Sequence, residues 1–338
     1  MAQADKCQRP LRVLITAAAG HVAYSLVFMI AKGACFGPKV PIVLILYDVP
    51  ENQDSLHGLA VELNDCCYPL LNGIEITPDI QLAFGNFSVA YLLASSPHKP
   101  GIQRGDLIEA NAPEFKSYGE ALEKYSRKNV KVIVYGDCMN TNLFICSKYA
   151  PSMPQENFTT VAQLNINRVK AQVALKLGVP PTCVRNVIVW GNDSSTTVCD
   201  ISKAKVIIDE NEVKVKKAID DCNWIQHELP SIVQRREDDI VDCQEKSAGI
   251  SAAKALAQHT RFLFSICVPR SYICMGVFSD GSYGVPCDVV SFFPVCIEDC
   301  KWTINKNLSP SQFIRDLIIL SGCELEQERD KALAILEG

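Results

Sequence analysis

The chain has no apolar run long enough to cross a membrane, and no stretch near its start joins a basic flank to a secretory apolar core. Positive charge is not in excess. The formal net charge is −5, which leaves no basic footprint for nucleic acid. Paired CxxC motifs and His–Cys clusters are missing, so no metal site is expected. Internal repeats, low-complexity segments and flexible linkers are also lacking. Histidine is scarce, at positions 21, 57, 98, 227 and 259.

What the chain does have is sixteen cysteines. At 338 residues it can bury a sizeable core in two lobes, whereas disulfide frameworks usually serve small secreted domains. The cysteines therefore read mostly as small buried thiols in a reducing compartment, the cytoplasm. Cys66, Cys67, Cys138 and Cys199 read as core filler, not nucleophiles.

The first half alternates between two periods. LRVLIT, PIVLILYD, SVAYLLA and KVIVYG are short, nearly all-apolar runs, as expected of parallel strands covered on both faces. Helical patterns lie between them at Ala23 to Ala31, Ser55 to Cys66, Ala110 to Lys128 and Asn142 to Tyr149. This alternation predicts an α/β fold, a doubly wound parallel sheet of Rossmann type over residues 10–155. A mixed α/β domain is expected over 156–338. In it, Asn165 to Leu177 reads as a helix and VRNVIVWG as a strand. KAKVIID and NEVKVKK read as a pair, and Asp220 to Gln258 as a long helical region. RFLFSICV, YICMGVFS and DVVSFFPVCI read as antiparallel strands. Ser309-Pro310 is expected to cap a last helix running to about Leu336.

In LRVLITAAAGHVAYSL a small-residue turn joins a strand to a helix, so that bare backbone can let a pyrophosphate approach the helix N-terminus. Only Gly20 survives as glycine, with Ala17 and Ala23 at the flanking positions. The same turn would equally serve as a small-residue packing corner. Asp48, 28 positions after Gly20 at the end of the second strand, can accept from ribose hydroxyls and would repel a 2′-phosphate. Together they favour NAD over NADP.

These segments, with LYDVPE, GIQRGDL, NTN at 140–142, INRVKAQVALKLGV, NVIVWGNDSST and SDGSYGVP, resemble in order the landmarks of cytosolic-type NAD-dependent malate dehydrogenases. The resemblance covers about residues 10–335. It implies an NAD-binding domain, a substrate domain, a small dicarboxylate ligand and a homodimer. A heterodimer with an active paralogue is the alternative assembly. It also implies a reaction in which hydride moves between C2 of malate and the nicotinamide. In that reaction a histidine exchanges the hydroxyl proton, an aspartate steadies the imidazolium, and arginines bind the two carboxylates.

The sequence departs from that pattern at the centre of the chemistry. The family's WGNHSS is WGNDSS here, so Asp193 stands at the histidine position. The family's LDHNR is LNINR, so Asn165 replaces the aspartate while Arg168 persists. The loop PRREGMER reads PHKPGIQR: His98 and Lys99 replace two arginines, and Arg104 matches the third. At pH 7 an aspartate of ordinary pKa is ionised and has no proton to donate. Beside Arg168 its pKa is expected to fall further. Asp193 and Asn165 could instead hydrogen-bond to each other. Arg168 has two readings, pairing with Asp193 or anion binding. Asn140 also has two, as a helix cap or as a contact to substrate and nicotinamide.

His21 and Val22 open the helix after Gly20 and complete the expected nucleotide turn. Family glycines appear as Ala17 and Ala94, whose methyls would weaken NAD binding. Cys138 replaces a proline of NPANTN that commonly follows a cis bond in this fold. Glu237 stands at a glycine position near the site, where a second acid beside Asp193 would repel malate. The run ELEQERDKALAILE reads as a solvated helix face. The resulting expectation is a dehydrogenase homologue with a degenerate site, non-catalytic or weakly active. The alternative is an active enzyme with a rearranged acid/base centred on His98 or Lys99.

Overall fold

A computed structural model describes residues 9–94, 101–264 and 272–337. Its first part runs β1 (Leu11–Ile15), α1 (His21–Ala31), β2 (Ile42–Tyr47), α2 (Gln53–Asp65), β3 (Leu71–Thr77), α3 (Ile80–Gly85), β4 (Val89–Leu93), α4 (Arg104–Tyr125), β5 (Lys131–Tyr135), α5 (Met139–Lys148) and β6 (Phe158–Thr160). These six strands are mutually parallel in the order β3-β2-β1-β4-β5-β6. That is the doubly wound order, with its switch point between β1 and β4. The all-apolar runs follow from burial on both faces: Val13, Leu14, Ile15, Leu44, Ala90 and Ile133 are all inaccessible.

The second part adds α6 (Gln163–Leu177), β7 (Val184–Arg185), β8 (Ile188–Trp190), β9 (Val198–Asp200), β10 (Lys205–Ile208), β11 (Asn211–Lys214), α7 (Val215–Ile219), α8 (Leu229–Gln234), α9 (Arg236–Gln244), α10 (Gly249–Leu263), β12 (Ile273–Phe278), β13 (Val290–Glu298), β14 (Lys301–Ile304) and α11 (Gln312–Glu337). Strands β12, β13 and β14 extend the large sheet antiparallel beyond β6. KAKVIID and NEVKVKK form the β10–β11 hairpin as expected. Helix α10 lies against α1, and its Ala252, Ala253 and Leu256 are fully buried. No helix among the described residues is long and apolar enough to cross a membrane.

Several expected boundaries shift. Helix α4 starts at Arg104, not Ala110, because buried Leu107 and Ile108 anchor an extra turn that Gly105 and Pro113 disguise in sequence. Helix α5 starts at Met139, so Asn140 lies inside the helix and the cap position belongs to Cys138. The region Asp220–Gln258 is broken, with left-handed backbone at Asp220 and Glu245 interrupting it. Arg261–Phe264 completes α10 instead of opening a strand, because Leu263 continues the buried face of that helix; an apolar run alone does not separate the two. The rest of that expected strand, 265–268, lies outside the described residues. The last helix begins at Gln312, and Ser311 Oγ, not Ser309, accepts from its first turn.

The cysteine expectation also changes. Of the fourteen described, seven are exposed, including Cys66 and Cys67, which sit at the solvent-facing end of α2. Cys138 and Cys199 are core residues, and burial pushes both thiols up to about 12. Neither is a thiolate at neutral pH.

Candidate active site

A cavity of about 700 Å³ opens where the switch point of the sheet meets the second part of the chain. On its nucleotide side lie Ala17, Gly20, His21 and Val22 from the β1–α1 turn, and Ala94 after β4. Its other side is formed by Arg104, Asn165, Arg168, Asp193 and Glu237. Asp48 and Asn140 are not on the wall. His98 and Lys99 lie outside the described residues.

The turn is built for close approach. Helix α1 begins with no side-chain cap and no acidic residue in its first turn, so its leading N–H groups keep their donor capacity. A Cβ on Gly20 would meet the Ala17 carbonyl at 3.0 Å. Ala17 itself is held at φ 46°, a left-handed conformation that favours glycine. Behind the turn, Asp48 is almost buried and already accepts from three groups. The Ala19 amide donates at 2.9 Å, the Val49 amide at 2.8 Å and Asn52 Nδ2 at 2.8 Å. A carboxylate has about four acceptor sites, which leaves one for a ribose hydroxyl.

Across the cavity the polar groups satisfy one another. Asn165 Nδ2 donates to Asp193 Oδ1 at 2.6 Å, the pairing expected for these two positions. Arg168 does not pair with Asp193. Its Nη2 meets Glu237 Oε2 at 2.5 Å, and its Nη1 donates to Asn165 Oδ1 at 3.4 Å. Nor does Arg168 pull the Asp193 carboxyl down overall. Burial is the largest effect and raises it above its ordinary value, against the lowering by Asn165, Arg168 and Arg104.

Arg104 is committed as well. Its Nε donates to Glu328 Oε1 at 2.5 Å, and its Nη1 to the Asp193 carbonyl at 2.9 Å. Glu328 is buried, and it also accepts from Thr141 Oγ1 at 2.6 Å and Asn192 Nδ2 at 2.8 Å. The neighbouring Glu324 takes Ser194 Oγ at 2.5 Å and Thr196 Oγ1 at 2.6 Å, fixing the loop that carries Asp193. The α11 run is therefore not simply a solvated face. Its inward stripe, Ser321, Leu325, Glu328 and Ala332, follows helical spacing, and an acid within that stripe is the signal that sequence reading passed over.

Asn140 is neither a cap nor a wall residue. Fully buried, it donates through Nδ2 to the Gly191 carbonyl at 3.3 Å, and its Oδ1 has no partner. Cys138 adopts φ 56°, and no peptide among the described residues is cis.

Residues 11–159 match the lactate/malate dehydrogenase NAD-binding domain, and residues 162–335 match the lactate/malate dehydrogenase alpha/beta C-terminal domain. Cytoplasmic malate dehydrogenases of Gallus gallus and Homo sapiens are each 43% identical over 328 residues, covering 97% of this chain and 98% of the relative. Among solved structures, a Trichomonas vaginalis lactate dehydrogenase in complex with NADH and oxamate superposes with a TM-score of 0.91 at 32% identity, covering 97% of this chain and 99% of that one. The malate dehydrogenase of Naegleria fowleri gives 0.88 at 32% identity, with the same coverage. The cavity at the switch point thus lies in a two-part fold shared along nearly the whole chain, and the chain belongs to the lactate/malate dehydrogenase family.

Proposed function

We propose that this chain is an NAD(H)-binding member of the family whose substrate side no longer interconverts malate and oxaloacetate at the family's rate, and that it serves a structural or regulatory role. The observation that carries this is the 2.6 Å hydrogen bond between Asn165 and Asp193. The two positions of the proton-transfer pair are occupied by an amide and a carboxylate that satisfy each other. Neither is a cation able to donate to a carbonyl oxygen, and losing such a group typically costs about 10²–10⁴-fold.

The nucleotide side fits the cofactor. The uncapped first turn of α1, with Gly20, His21 and Val22, would hold the pyrophosphate, and the remaining acceptor site of Asp48 would take a ribose hydroxyl. Bound NAD supplies the hydride chemistry of the family. The methyls of Ala17 and Ala94 narrow the cradle and weaken binding relative to glycine at those positions.

The test pairs two measurements on the purified chain. NADH should raise its thermal transition, since a ligand specific to the native state stabilises by mass action. Oxaloacetate-dependent oxidation of NADH should be absent at the same protein concentration. Turnover near the family's rate would overturn the proposal.

One observation favours a second reading, an active dehydrogenase with rearranged acid/base. Burial raises the Asp193 carboxyl, which brings its protonated form nearer to neutral pH. In that case Asp193→Asn abolishes turnover; a His98→Ala effect would assign proton transfer to the loop instead.

The assembly is proposed as a dimer in the cytoplasm, of two copies or with an active paralogue. The names of its relatives support the compartment, and exposed Tyr24 and Val61 on adjacent helices offer apolar surface. Light scattering on the chain alone and after co-expression with such a paralogue distinguishes the two forms.

A further inference from the structure

Glu237 makes two contacts that point in opposite directions. Oε2 lies 2.5 Å from Arg168 Nη2, and Oε1 accepts from the Ala248 amide at 2.9 Å. One carboxylate therefore faces the cavity's guanidinium while being held from behind by the chain that opens α10. Its place as the second residue of α9 adds the favourable field of a helix N-terminus. The Arg168 side chain is only 11% exposed, against 23% for Glu237, so the acid is the more accessible of the two.

The two arginines of the cavity are closed to different degrees. The carboxylate on Arg104 is also gripped by Thr141 and Asn192, so releasing it would strand buried donors. The carboxylate on Arg168 has one further partner, the backbone amide of Ala248, in place of two side-chain donors. Arg168 is the subsite that can open.

We infer that Glu237 is a tethered competitor for the anion subsite of Arg168, and that it sets the affinity of the cavity for small carboxylates. This rests on the reading of the cavity as the former substrate site. A ligand carboxylate binds only in the fraction of molecules whose Glu237 has swung away, and its apparent affinity falls by that fraction. Both acids cannot share one guanidinium without bringing like charges together.

The test titrates malonate into the NADH-saturated chain and into the chain without nucleotide, by calorimetry. Glu237→Gln keeps an oxygen for the Ala248 amide and removes the charge. It should bind malonate at least about tenfold more tightly than the parent. Glu237→Asp keeps the charge on a shorter stem and should give a smaller gain. Unchanged affinity in Glu237→Gln would overturn the inference, as would an equal gain from Asp193→Asn alone, which would locate the barrier at Asp193. The outcome is separable from the proposed loss of turnover: oxaloacetate reduction by the parent chain would sink that proposal while leaving the malonate comparison to be read on its own.

Discussion

The first turn of α1 carries no side-chain cap, whereas on the other side of the cavity Arg104, Arg168 and Asp193 each already have a protein partner. The first arrangement waits for an anion. The second is satisfied from within, by Glu237, Glu328 and Asn165. Side-chain identity explains the contrast. Nucleotide recognition leans on backbone geometry, which survives glycine-to-alanine changes at modest cost. Proton transfer and carboxylate binding depend on specific charges, which two or three substitutions can cancel.

The largest expected effect tests the proposed loss of turnover. Asn165→Asp, Asp193→His and Glu237→Gly together should raise oxaloacetate reduction by about 10²–10⁴-fold over the parent, read as NADH consumption. No gain would mean that the two sides differ in more than these residues. Next is Glu328→Ala, which strands the buried end of Arg104 together with Thr141 and Asn192. It should cost about 3–5 kcal/mol in denaturant unfolding at neutral pH. A cost below about 1 kcal/mol would show that Arg104 is free to serve a ligand.

A third prediction concerns the scaffold behind the nucleotide turn. His259 of α10 is fully buried, with Nε2 2.9 Å from Thr159 Oγ1, and burial lowers its pKa from 6.5 to about 3. The folded state keeps it neutral while the unfolded chain binds a proton below 6.5. Its contribution is therefore complete above that pH and is lost as pH falls towards 3. Stability should drop by up to about 5 kcal/mol across this window. His259→Gln should flatten that part of the pH profile; an unaltered slope would assign it to other groups. The smallest effect is at the turn: Ala17→Gly should relieve the left-handed strain, add about 0.5–1 kcal/mol of stability and tighten NADH binding.

The parallel sheet was legible because doubly buried strands leave uninterrupted apolar runs, and the Asn165–Asp193 hydrogen bond was legible because both residues fall inside recognisable motifs. The partners of those residues were not. Which arginine meets which acid depends on α9 and α11, whose acids lie 69 and 224 positions away from Arg168 and Arg104. The Arg168–Asp193 pairing, one of the two readings of that arginine, is not formed for this reason: Arg168 meets Glu237, while Asp193 is held by Asn165. The direction of the Asp193 shift failed because burial outweighs two nearby cations. Exposure of Cys66 and Cys67 could not be seen in composition alone.

The most direct test of the central claim is a single-turnover experiment. NADH-loaded protein, in excess over nucleotide, is mixed rapidly with saturating oxaloacetate while the reduced nicotinamide signal is followed. Stable binding with no decay of that signal beyond the protein-free control is the predicted result. A decay of one equivalent within seconds would show that Asp193 or another group still delivers the proton, and would contradict a site closed by its own side chains.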